Sequence, residues 1–197
     1  MAPEQRREQL LDAALSVILE QGYSGVSIEA VARAAGVTRP VVYDHFGNLG
    51  LLLQSLIERE EHYALDQLEH VVPSDPGAIV SGDVFAAGVR RFLDAVASRP
   101  ATWRIILLPP EGTPAVVRHH IETNRARTLD RIEQLVRAVI ALPADLDPEL
   151  AARAIRDLGE EAGRLVLTDP ERYPPERYER FVEAIMRLLW RGDDRSH

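Results

Sequence analysis

Ser27-Ile28-Glu29-Ala30-Val31-Ala32-Arg33-Ala34-Ala35-Gly36-Val37-Thr38-Arg39-Pro40-Val41-Val42-Tyr43-Asp44-His45-Phe46 is the stretch whose reading decides the fold. In its first half, Ile28, Val31, Ala32 and Ala35 recur at i, i+3, i+4 and i+7, which is one face of a helix. Gly36 breaks that helix, and Val37 is placed to pack beneath the turn. Thr38 is a residue type that caps helix N-termini, so a second short helix starts there. Pro40 falls in its first turn, where a missing N–H is tolerated. Helix, glycine turn and helix make a helix-turn-helix, whose second helix fits a DNA major groove.

Outward from this stretch the chain reads as helices alone. Residues 3–21 carry Leu11, Ala14, Leu15 and Ile18 on one face, and Gly22 stops them. Asn48 is placed to cap a long helix through His70, with Leu49, Leu52, Leu53, Leu56 and Ile57 as its stripe. Val72 to Gly77 is a breaker cluster and hence a loop. Further helices are expected over 79–98, 101–108, 114–141, 147–167 and 174–190. Asp147 and Pro148 are the start signal of the helix over 147–167. The tail from Gly192 is polar. No strand pattern, repeat or low-complexity tract occurs, and the prolines fall at helix ends. The fold class is therefore all-α.

The segment from about Arg6 to Leu56 resembles the TetR family of bacterial transcriptional repressors. The resemblance is carried by Gly22-Tyr23, Ser27-Ile28, Val31-Ala32, Ala35-Gly36-Val37, Thr38, Pro40, Val42-Tyr43 and His45-Phe46. It implies a helix-turn-helix DNA-binding domain over 1–47 and a helical effector-binding and dimerisation domain over 48–197. It also implies a homodimer on a palindromic operator that answers to a small molecule. One position departs from the family pattern. Leu49 stands where a phosphate-contacting Lys is common, which leaves backbone N–H groups at that helix start to face a phosphate.

Composition sets limits on this reading. The 23 basic residues are all Arg, which reads as coding bias from a GC-rich genome. The net charge is −8. Within residues 1–47, Arg6, Arg7, Arg33 and Arg39 face Glu4, Glu8, Asp12, Glu20, Glu29 and Asp44, a net of −2. Non-specific DNA affinity scales with neutralised phosphates, so it is expected to be weak. Specific binding then rests on amides, hydroxyls and a few placed guanidinium groups. Without Cys there is no disulfide and no thiolate zinc site. Met1 to Gln9 is polar, unlike a signal peptide, and no apolar run reaches the ~20 residues of a membrane span. A cytoplasmic protein without cofactor is expected.

The candidate DNA contacts are Ser27, Thr38, Arg39, Pro40, Tyr43 and His45. The resemblance places Thr38 and Arg39 at the exposed start of the recognition helix and makes Tyr43 and His45 a phosphate-contacting pair. A guanidinium pairs bidentately with guanine, which suits Arg39. Phe46 reads as core, and Tyr43 as a packed ring with its hydroxyl at a phosphate. Ser27 reads equally as a helix cap and as a phosphate contact. Arg6 and Arg7 divide between phosphate contact and solvation.

Phe85, Phe92, Trp103 and Leu129, with Arg104, Arg125 and Thr128, are the candidate effector residues; the competing reading is a filled core. Leu158, Gly159, Ala162 and Gly163, with Phe181 and Ile185, form a candidate dimer face. Two glycines in a helix interior, each costing about 1 kcal/mol, point to close helix approach between subunits or within one chain. His119, His120 and Glu122, or His62 and Glu58, read as hydrogen-bonded side chains before metal ligands. Glu160, Glu161 and Arg164 read as an ion pair at helical spacing. No nucleophile–base pair, metal motif or phosphate loop supports an all-α enzyme. Repressor, activator and architectural roles share the same DNA-binding unit and stay open at this level.

Overall fold

Helix boundaries in the computed structural model, which describes residues 2–69, 82–110, 112–139 and 147–190, follow the start and stop residues of the sequence. The helices are α1 (Pro3–Gln21), α2 (Ile28–Ala34), α3 (Arg39–Phe46), α4 (Leu49–Glu69), α5 (Gly82–Ser98), α6 (Pro100–Leu107), α7 (Ala115–Val139), α8 (Pro148–Thr168) and α9 (Pro175–Trp190), with a 3-10 turn at Tyr23–Gly25. No strand occurs among the described residues. The expected end of the long helix at His70, the loop over Val72 to Gly77, the 79–81 start of the helix expected over 79–98, the 140–141 end of that expected over 114–141 and the tail from Gly192 lie outside them.

Three of the caps work through side chains. Ser27 Oγ accepts from the Ala30 N–H at 3.0 Å. Asn48 Oδ1 accepts from Leu51 N–H at 2.9 Å. Asp147 Oδ1 accepts from Glu149 and Leu150 N–H at 2.9 and 3.3 Å. Thr38 differs from expectation. It occupies the N-cap position of α3 with extended backbone, but its side chain makes no cap bond. The reason is local: Pro40 has no N–H to offer, and the Val41 N–H goes to the Thr38 carbonyl at 3.1 Å.

By internal contact the chain forms two compact units, Met1–Tyr63 with Ala101–Asn124, and Ala64–Pro100 with Arg125–His197. The first unit has a continuous apolar core. It runs from Leu10, Ala14, Val17 and Ile18 of α1 through Val31 and Val42 to Leu52, Leu53, Leu56 and Ile57 of α4. Ile105 of α6 and Val117 and Ile121 of α7 complete it. Three short helices cannot enclose a core of this size, so residues 48–63 and 101–124 are part of the same body as the helix-turn-helix.

A polar knot sits beside that core. Arg59 of α4 reaches Glu8 and Asp12 of α1 at 2.9 and 2.8 Å and Glu60 at 2.6 Å. Glu60 is 1% exposed, and its other oxygen accepts from Thr102 Oγ1. Burial pulls the Arg59 pKa down, but hydrogen bonds to Glu60 and Glu8 more than offset this and hold it above its ordinary value. The neighbouring buried Glu61 lies 2.7 Å from His120 Nε2.

In the second unit α5 packs against α8 and α9. Leu93 and Val96 of α5, Val136 of α7 and Ala152 and Val166 of α8 are buried. Arg90 of α5 holds Asp94 and reaches across to Glu176 and Glu179 of α9. Arg125 and Arg164 share Glu160 at 3.2 and 2.8 Å, and Arg164 also meets Glu161, so that trio is an ion-pair cluster.

Replacing Arg59 alone strands Glu60 as a buried carboxylate. Arg59→Leu is expected to destabilise the protein by about 3–5 kcal/mol, read from urea unfolding. The double variant Arg59→Leu/Glu60→Leu should lose clearly less, because the uncompensated charge goes with its partner. Equal losses in the two would remove the knot from the account of stability.

Candidate DNA-reading surface

The surface is built from the turn between α2 and α3. Gly36 has φ 67°, a left-handed conformation that side chains resist. Its N–H bonds the Arg33 carbonyl at 3.2 Å, and the Val37 N–H bonds the Ala32 carbonyl at 2.9 Å. This pair of bonds is the Schellman arrangement that closes a helix. Val37 packs against the core, as such turns favour. From α1, Gln9 Nε2 donates to the Ala35 carbonyl at 2.9 Å, and Arg6 Nη1 holds the Gln9 oxygen at 2.7 Å. The turn is thus tied from both sides, which fixes the direction in which α3 leaves it.

That direction sends the start of α3 outward. Thr38, Arg39 and Pro40 are exposed, and the Thr38 hydroxyl is not engaged in capping. Tyr43 is 49% exposed, so its ring is not packed into the core as expected; Val42 and Phe46 fill that space instead. His45 is half-buried beside Phe46, ring centroids 6.3 Å apart. Asp44 is exposed. Ser27 is exposed as well as capping. Leu49, at the position of the absent cation, packs against the core.

The arginines of this region are mostly engaged. Arg7 stacks over the Phe46 ring at 4.5 Å and donates to Ser55 Oγ at 2.8 Å. It ties α1 to α3 and α4 rather than standing in solvent. Arg39 Nη1 lies 3.7 Å from Glu29 Oε2. Sequence reasoning missed both links, since ten residues separate Glu29 from Arg39 and the contact exists only once the turn has folded.

The other expected residues fall as follows. Trp103, buried, and Arg104, exposed, belong to the first unit; Phe85, Phe92, Arg125, Thr128 and Leu129 belong to the second. In the second, Phe85, Phe92 and Leu129 are half-buried, Thr128 is exposed and Arg125 is ion-paired. An open hollow is lined by Tyr173, Arg177, Tyr178 and Phe181. Leu158 is 72% and Phe181 61% exposed, Ile185 is exposed, and a β-carbon on Gly159 would meet nothing within 4 Å. Ala162 and Gly163, expected on the same face, are buried within the chain. Their small size serves packing inside the unit. No group of three His, Asp or Glu able to hold a metal occurs among the described residues, and no helix there is long and apolar enough to cross a membrane.

Residues 10–54 match the family model described as bacterial regulatory proteins, tetR family. Over 160 residues the chain is 30% identical to the HTH-type transcriptional regulator SrpR of Pseudomonas putida, spanning 79% of this chain and 72% of that protein. Its fold is similar to NalD of Pseudomonas aeruginosa, described as the secondary repressor of the MexAB-OprM multidrug efflux pump. That likeness has 26% identity, a TM-score of 0.67 and covers 93% of this chain and 94% of that one. It is similar in fold also to SmeT, solved in complex with triclosan, with 21% identity, TM-score 0.73, and 94% and 91% of the two chains covered.

A methyl group at Gly36 has open space around it, so any cost there is backbone strain alone. Gly36→Ala is expected to destabilise by about 1–2 kcal/mol, and Gly36→Asn by less, since Asn tolerates the left-handed region. Denaturant midpoints at constant m-value test this. An Ala variant as stable as the wild type would show that the turn can relax.

Proposed function

The chain belongs to the tetR family of bacterial regulatory proteins, and on that premise we propose that it is a ligand-responsive repressor acting as a homodimer on a palindromic operator. The observation that carries the DNA half is the outward start of α3, with Thr38, Arg39, Pro40 and Tyr43 exposed above a turn fixed at Gly36. Arg39 reads a base edge in the major groove. Tyr43, His45 and Ser27 hold phosphates, and backbone N–H groups stand in for the missing cation at Leu49. Residues 1–47 do the reading, and 48–197 sense and dimerise.

Two further observations support the second half. Leu158 of α8 and Phe181 and Ile185 of α9 expose apolar side chains, and Gly159 has room beside it; a second copy covering them makes the dimer. The effector is apolar or amphipathic, held in the second unit by Phe85, Phe92 and Leu129 with polar help from Arg125 and Thr128. The neighbour solved in complex with triclosan agrees with a small-molecule effector of this class. Effector binding shifts the population toward a spacing of recognition helices that no longer fits successive major grooves. Linkage makes this reciprocal: operator must weaken effector binding by the same factor.

Arg39→Ala should cost about 1–3 kcal/mol on the preferred operator and relax preference at one base pair per half-site. Tyr43→Phe should weaken binding alike on all sequences, because a phosphate carries no base identity. Binding isotherms on base-substituted duplexes separate the two, and equal losses for Arg39→Ala everywhere would reduce it to a positioning contact.

Phe181→Glu combined with Leu158→Glu should give monomers by light scattering at micromolar concentration and abolish operator binding. A wild type already monomeric under those conditions would end the dimer proposal.

A further inference from the structure

Glu29 places a carboxylate next to the proposed base-reading side chain. Its Oε2 lies 3.7 Å from Arg39 Nη1, and both side chains are 64% exposed. It sits in the first turn of α2, while Arg39 opens α3. The contact therefore links the first turns of the two helices, on exposed surface.

A carboxylate there is a liability for DNA affinity as such. It repels phosphates, and the reading segment already has a net charge of −2. Its effect on Arg39 is different. A guanidinium has five N–H donors. With one nitrogen turned to Glu29, the remaining edge can still donate two parallel bonds to guanine O6 and N7. What the ion pair opposes is a swing of Arg39 toward the sugar-phosphate backbone, which would separate the charges and leave Glu29 facing DNA alone. Repulsion on all sequences combined with support for one geometry is how a site gains discrimination at some cost in affinity.

We infer that Glu29 is a specificity-determining positioning residue, which holds Arg39 for a base edge and withholds it from the backbone. The inference rests on the reading of Arg39 as a base contact. Its test uses the full-length protein and duplexes enriched from a random library by the wild type. Each is compared with single-base variants and with an unenriched duplex. Glu29→Gln keeps shape and removes the charge, and an unchanged melting temperature shows that it keeps the fold.

Affinity for the unenriched duplex should rise about two- to five-fold, the scale of one exposed ion pair. The enriched duplex should gain less, so discrimination at the Arg39-dependent base pair falls by a similar factor. In an Arg39→Ala background Glu29→Gln should leave discrimination unchanged. Equal gains on every duplex would overturn the inference, reducing Glu29 to simple repulsion. No change on any duplex would overturn it too, because the pair would then be idle. If Arg39→Ala itself lost equally on all variants, the underlying base-reading proposal would fall, and that result is visible without any Glu29 variant.

Discussion

The left-handed backbone at Gly36 sets where α3 points, and the proposed DNA-reading surface inherits its geometry from that turn. The two closing hydrogen bonds, the Gln9 amide on the Ala35 carbonyl and the burial of Val37 all converge on the turn. None of them involves a side chain of the reading surface. The turn can thus be stiff while Thr38, Arg39 and Tyr43 remain exposed. This separation suits a site that is pre-organised while the groups proposed to do the recognition stay exposed.

Charge is arranged with similar restraint. Of the four arginines in residues 1–47, three are held by the protein's own acceptors or rings: Arg6 by Gln9, Arg7 by Ser55 and Phe46, Arg39 by Glu29. Of these, only the Arg39 pairing cancels charge, and with six carboxylates against four arginines over residues 1–47 the segment gains little from counterion release. It is better matched to contacts whose strength depends on geometry than to adhesion to any duplex.

Much of the fold was legible because helix ends are written locally. Ser27, Asn48 and Asp147 cap where their type predicts, and Pro40, Pro148 and Pro175 fall in first turns. The stripes of α1 and α4 likewise name their buried faces. What escaped reading was long-range. Glu60 looks like any solvated helix carboxylate until Arg59 and Thr102 enclose it, and Glu8 and Asp12 lie about fifty residues from the arginine they meet. Ala162 and Gly163 were assigned by small size to a subunit contact, whereas size alone cannot say on which side a helix is approached. Thr38 failed as a side-chain cap because Pro40 removes one donor and the Val41 N–H turns to the Thr38 carbonyl, and only the first of these is visible in the sequence.

The first unit is discontinuous along the chain, and synthesis makes that a matter of timing. Its helix-turn-helix and most of α4 are complete at Tyr63, but Ile105, Val117 and Ile121, which close its core, come later. At about 5–20 residues per second, the ribosome needs roughly 3–12 seconds to reach Ile121. During that interval the nascent helices expose the apolar surface that α6 and α7 will cover. A polypeptide truncated before α7 would stay in that state, with its reading helix formed on an unfinished core.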